Sequence, residues 1–327
     1  MTHGAASGRG RHAMPEPGPA QARSPRGNGL TSRTVLAVIG LLGLGMALYP
    51  SIASWNAAVI QSQLTDTYHV EVNDLAEESR LAALRRAADY NVTVAAGAAY
   101  DPETGLLAPP DSQEYGTYLS MLRDVPSGVM SRIKIPKIEV DLPIYHGTSE
   151  AVLLAGVGHL YGTSLPVGGE STHSVLTGHA GLAEAIMFTD LRELDLGDEF
   201  ELQTYGETLN YRISDIQIIE PNETELLVVQ PGRDLVSLIT CTPIAINSHR
   251  LVVTGERIPT PAEPVPDEVV AEALGFQWWM VWGAAGCLLA LLYVILGGRK
   301  RKPPTTPRRA LVSPETEDAD GEAHEGR

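Results

Sequence analysis

The 327-residue chain holds only two cysteines, Cys241 and Cys287, too few for a disulfide framework. Cys287 falls inside an uncharged apolar run; if that run spans a membrane, the two sulfurs cannot meet. Histidines are scattered without ligand spacing, and no acidic loop carries the alternating oxygen pattern of a calcium site, so neither a metal nor a cofactor is expected. Basic residues are also missing from long stretches: none occurs between Arg33 and Arg80 or between Arg257 and Arg299. Residues 56–275 contain 12 Lys and Arg against 33 Asp and Glu. This balance argues against nucleic acid as a partner and favours a cationic or amine-bearing one.

The absence of charge marks two membrane spans. TVLAVIGLLGLGMALYPSIASW, residues 34–55, is about as long as a helix needs to be to cross hydrocarbon. WWMVWGAAGCLLALLYVIL, within residues 276–297, opens on interfacial tryptophans and ends against Arg299, Lys300, Arg301 and Lys302. Arg23, Arg26 and Arg33 precede the first run. Because Lys and Arg are retained on the cytoplasmic side, the pattern predicts a two-pass protein of the cell membrane, with both termini cytoplasmic and the intervening domain outside. A cleaved signal peptide is the alternative for the first run.

The tails, 1–33 and 298–327, carry almost no large apolar side chains and are expected to be disordered. From Ala57 to about Asp89 there is no Gly or Pro, and apolar residues recur at loosely helical spacing. Residues 56–127 are therefore read as a helical stalk leading into a long Gly- and Pro-punctuated loop. From 128 to 259 the texture changes to short β-branched runs such as RIKIP, THSVLTGH, DEFELQTY, DLVSLITC and HRLVVTGERI, separated by Gly, Pro, Asn and Asp. Many short strands without βα alternation predict a mainly β fold, a closed or nearly closed barrel with few short helices, expected around Ser149–Leu154 and Glu184–Leu194. Residues 260–275, beginning TPAEPVPDE, read as a stiff linker.

Cys241 ends one β-branched run and Arg250, nine residues on, starts the next. A thiol and a guanidinium at such positions can face each other across one wall, although spacing alone equally fits a buried structural cysteine and an unrelated arginine. His179 lies at a strand end with Gly178 and Gly181 close by and is the best-placed base. His146, His159, His173 and His249 are candidates for structural roles.

LITC with Arg250 nine residues on, and TGHAG around His179, resemble the cysteine–arginine signature and the histidine motif of sortases. IPKIEVDLPIYHGTSEAVLLAGVGHLYGTSLPVGGESTHSVLTGHAGL and CTPIAINSHRLVVTGER look like the class C, pilin-polymerising branch. The resemblance covers residues 128–259 in register. It implies an eight-stranded sortase barrel with Cys241, His179 and Arg250 as its catalytic residues. The implied substrate is an LPxTG-like sorting signal, cut between Thr and Gly, with a pilin lysine or a cell-wall amine as acceptor. Thr240, beside the nucleophile, would support the oxyanion or substrate through its hydroxyl or a backbone donor. Class C sortases usually carry a lid with Asp, Pro and an aromatic residue; Tyr100, Asp101 and Pro102 are the candidates, although Glu103 stands where the ring is usual, and DPETG also reads as an ordinary turn. Ile244 and Ala245 stand where the class usually has an aromatic residue and Gly. A cysteine peptidase that lets water resolve the thioester, and a non-enzymatic scaffold, are the rival readings.

Overall fold

The computed structural model describes residues 29–95, 112–182, 187–221, 223, 225–260 and 276–296. Eight strands form one closed barrel: β1 (Ser131–Ile135), β2 (Val140–His146), β3 (Val157–His159), β4 (Thr172–Thr177), β5 (Glu199–Thr204), β6 (Glu207–Ile219), β7 (Asp234–Thr242) and β8 (His249–Ile258), in the spatial order β1-β2-β3-β4-β7-β8-β6-β5. The closed eight-stranded barrel expected from the sequence is the observed architecture. Two pairs are parallel, β2 with β3 and β4 with β7; the remaining pairs are antiparallel. The three-residue β3 is too short to leave a period-2 pattern.

Alternation along the strands explains the core. Ile133 and Ile135 of β1, Leu142 and Ile144 of β2, and Phe200 and Leu202 of β5 are buried together. Phe200 and Tyr211 stack with centroids 5.5 Å apart. Removing an aromatic ring of this kind from water contributes about 2–3 kcal/mol. Gly255 of β8 makes room for the stack, since a Cβ there would lie 2.7 Å from Phe200 Cζ. The opposite side of β1 is buried too, and it carries charge. Arg132 forks onto Asp141, and Lys134 stands 4.0 Å from Glu201. Enclosing such groups is tolerable only because each is paired.

Among the described residues, four helices precede or interrupt the strands: α1 (Gly29–Asp74), α2 (Glu77–Ala95), α3 (Gln113–Ser120) and α4 (Glu150–Ala155). The first apolar run, 34–55, lies within α1, which continues through Pro50 to Asp74, so the stalk is an unbroken extension of that helix followed by α2. Glu77 and Glu78 open α2, where the helix dipole favours carboxylates. The stalk is fixed by buried polar groups. Tyr68 of α1 donates from its hydroxyl to the Met130 carbonyl and accepts from the Tyr205 N–H at 2.9 Å. Asn91 of α2 bonds both the N–H and the carbonyl of Leu165. The second apolar run forms α5 (Trp278–Leu296). Among the described residues, two helices, Leu30–Asp74 and Trp278–Leu296, are long and apolar enough to cross a membrane. The chain divides into two compact units, one comprising Gly43–Ala285 and the other the segments up to Leu42 and from Gly286. Of the helix expected near Glu184–Leu194, the described part is a short 3-10 turn at Thr189–Glu193; residues 183–186 lie outside the described residues.

Candidate active site

Strand β7 runs between β4 and β8 in the barrel wall, and this ordering assembles the site. Cys241 is the penultimate residue of β7 and is paired in register with Arg250, the second residue of β8. Antiparallel partners directly opposite each other project to the same side with Cα atoms about 4.5–5.5 Å apart. On the other flank, the parallel register matches Thr177 of β4 with Ile239 of β7. The Gly178 N–H extends the ladder by donating to the Ile239 carbonyl at 3.0 Å. His179 follows Gly178 directly, so the histidine loop leaves β4 beside the end of the strand that carries Cys241. The thiol is half-buried and free. The topology thus sets Arg250 opposite Cys241 and starts the loop of His179 at the neighbouring strand.

Thr240 has a more definite part than the sequence conveyed. It is buried, and its hydroxyl donates to the Gly178 carbonyl at 2.8 Å. That hydroxyl is committed to the backbone just before His179, so any support of an oxyanion through it would require giving up this bond. Residues 239 and 240 of the nucleophile strand together hold Gly178 by both its N–H and its carbonyl. Gly178 is needed for space rather than for an unusual backbone angle: a Cβ there would lie 2.7 Å from the Phe188 ring. Gly181 meets both demands, with φ of +74° and the Ile244 side chain packed where a Cβ would stand.

Ile244 belongs to the β7–β8 loop, and its contact with Gly181 links that loop to the histidine loop. The loop turns through the N–H groups of Ile246 and Asn247, both donating to the Pro243 carbonyl, and through left-handed Ala245 (φ +69°) and Asn247 (φ +57°). Arg250 Nη1 donates to the carbonyls of Asn247 and His249, holding the guanidinium against the same loop.

The histidines divide by environment. His159 is enclosed, with Nε2 2.8 Å from the Ser164 carbonyl and Nδ1 3.1 Å from the Tyr118 hydroxyl. His146 Nε2 meets the Met121 carbonyl, and His173 is held between Ser237 and Val228. Burial pushes His146 and His159 down to about 4 and lowers His173 as well. His249 is exposed beside the Ser248 hydroxyl. His179 differs: its Nε2 has no hydrogen-bond partner among the described residues, while Glu150 Oε1 of α4 stands 3.5 Å away. Sequence reasoning missed Glu150, because one carboxylate at the start of a six-residue helix leaves no pattern.

Among the described residues no cluster of three or more His, Cys, Asp or Glu is arranged to hold a metal ion. A cavity of about 550 Å³, lined by Trp55, Lys137, Asp141, Met187 and Trp279 among others, lies away from Cys241, His179 and Arg250. Tyr100, Asp101 and Pro102, the lid candidates, lie outside the described residues.

A sortase domain matches residues 133–258. The crystal structure of sortase C-1 from Actinomyces oris is 51% identical, covering 55% of this chain and 99% of that one, with a TM-score of 0.51. Sortase C1 of GBS pilus island 1 is 38% identical, covering 63% of this chain and 96% of that one, with a TM-score of 0.54. Sortase A of Bacillus anthracis is 30% identical over 135 residues, or 41% of this chain; the match spans 62% of that relative's length.

Proposed function

Because this chain belongs to the sortase family, we propose that it is a membrane-anchored cysteine transpeptidase that cleaves an LPxTG-like sorting signal between Thr and Gly and joins the acyl group to a lysine amine of a pilin subunit. One observation carries the reading: Cys241 is flanked by Arg250 through the β7–β8 register and by the His179 loop through the β4–β7 register. The membrane anchoring rests on the two apolar helices and on the arginine and lysine clusters at their outer ends, which favour cytoplasmic termini. The pilin acceptor rests on the likeness to sortases C, one of them from a pilus island.

The Cys241 thiolate attacks the Thr carbonyl carbon, and protonated His179 gives its proton to the departing glycine amine, leaving a thioester and a neutral imidazole. Arg250, a permanent cation opposite the nucleophile, neutralises the oxyanion that develops in each half-reaction. His179 Nε2 is enclosed and makes no hydrogen bond among the described residues, so in this reading it is the group that holds the proton and gives it up.

Incubating the detergent-solubilised protein with an LPxTG-type peptide and measuring intact mass should reveal an acyl-enzyme on Cys241. Added pilin lysine peptide should then convert it to an isopeptide-linked product. No adduct from the unmodified protein would refute the transpeptidase reading; an adduct discharged by a wall-peptide amine in preference to pilin lysine would replace the acceptor.

A further inference from the structure

Across the end of the barrel the charged groups follow an order. Arg250 stands on the β8 side of Cys241, His179 on the β4 side, and Glu150 beyond His179. The acyl group on Cys241 is therefore bordered by a fixed cation on one flank and by an imidazole backed by a carboxylate on the other. Glu150 side chain is 74% exposed and His179 only 22%, so an arriving ligand meets the carboxylate first.

We propose that Glu150 is the capture point for the acceptor amine, selecting ammonium-bearing nucleophiles and delivering them to His179. This rests on the transpeptidase reading above and adds the recognition of its second substrate. A lysine amine, with an unperturbed pKa near 10.4, arrives almost wholly as the ammonium at neutral pH. A cation approaching on the Arg250 flank is repelled, whereas on the α4 flank it meets a carboxylate within reach of the base. There the ammonium gives one proton to solvent, and its nitrogen forms the bond to the thioester carbon. The second proton passes to neutral His179 as the carbon–sulfur bond breaks and sulfur leaves as the Cys241 thiolate. The Cys241 and His179 pair is thereby restored with one proton released, and no other reactant is required.

The test uses the full chain in detergent with saturating sorting peptide and two acceptors: Nα-acetyl-lysine amide, cationic at pH 7.5, and hydroxylamine, neutral at that pH. The readout is the concentration of each acceptor that gives half-maximal transfer over hydrolysis. An exposed charge pair of this kind is worth about a three- to fivefold change. Glu150→Gln should raise the lysine value by that factor, flatten its dependence on salt and leave the hydroxylamine value where it was, with Glu150→Asp restoring part of the lysine preference. An equal loss with both acceptors would show that Glu150 acts only through His179 and would overturn the proposal, as would an unchanged lysine value. If the unmodified protein forms no thioester before any acceptor is added, the transpeptidase reading fails first and takes this one with it.

Discussion

Two enclosed histidines should make the barrel acid-labile. His146 and His159 are cross-strand partners in the β2–β3 register, and both are neutral in the fold because burial holds them at about 4, against an ordinary value of 6.5. In the unfolded chain both titrate near 6.5, so between pH 6.5 and 4 the unfolded state binds more protons and folding stability falls as the pH drops. Their contribution is fully present above pH 6.5 and is lost through that window. At about 1.4 kcal/mol per unit of displacement, each group is worth roughly 3 kcal/mol by pH 4. The two are neighbours, so the second contribution does not simply add to the first. Even one is a large part of the roughly 5–15 kcal/mol that holds a domain together. Urea midpoints from pH 7.5 to 4.5 on the solubilised protein should fall steadily below pH 6.5. In His159→Gln, which cannot take up the proton, the slope should lessen by up to about 1.4 kcal/mol per pH unit. Asp198, held below 3.8 by the Asp195 N–H and then by Lys137, and Glu256, held below 4.5 by Arg233, contribute little in this window. A stability profile flat down to pH 4.5, or a full slope retained in His159→Gln, would refute the reasoning.

Four further outcomes are expected. Cys241→Ala should abolish acyl-enzyme formation and His179→Ala should reduce it at least a hundredfold, both measured by intact mass against time. Thr240→Val, which keeps the shape but removes the bond to the Gly178 carbonyl, should lower kcat about tenfold and cost about 1 kcal/mol of stability, with Thr240→Ser recovering most of both. Gly255→Ala should destabilise the barrel by more than about 2 kcal/mol in urea unfolding, since its Cβ meets the Phe200 ring. Ala245→Gly should relieve about 1 kcal/mol of left-handed strain, partly offset by greater freedom of the unfolded chain. Its midpoint should therefore rise by a few tenths of a kcal/mol, and a fall would show that the loop favours Ala for another reason.

What could be read from the sequence was whatever local pattern dictates. Strands such as DLVSLITC announce themselves through β-branched residues, and the nine-residue spacing from Cys241 to Arg250 became a direct cross-strand pair because the intervening loop reverses the chain. Contacts between distant segments left no such trace. The bond from Thr240 to Gly178 joins residues 62 apart, and nothing around either position reveals it. Gly178 reads as a turn glycine, although its constraint is the Phe188 ring ten residues on. Glu150 gains meaning only once α4 lies against the histidine loop. The join between the first span and the stalk was equally hidden, because no local pattern says that one helix runs from Gly29 to Asp74.

Closure of the barrel limits how a peptide can be read. The wall bearing the thiol has hydrogen-bonded strands on both of its edges, so an extended ligand finds no open row of N–H and C=O groups to join as an additional strand. Selectivity must then come from side chains on the outer surface and from the bordering loops. In this chain the loop after the thiol is shaped by Ile244 against Gly181 and by left-handed Ala245, so side chains there border the surface that such a ligand would meet.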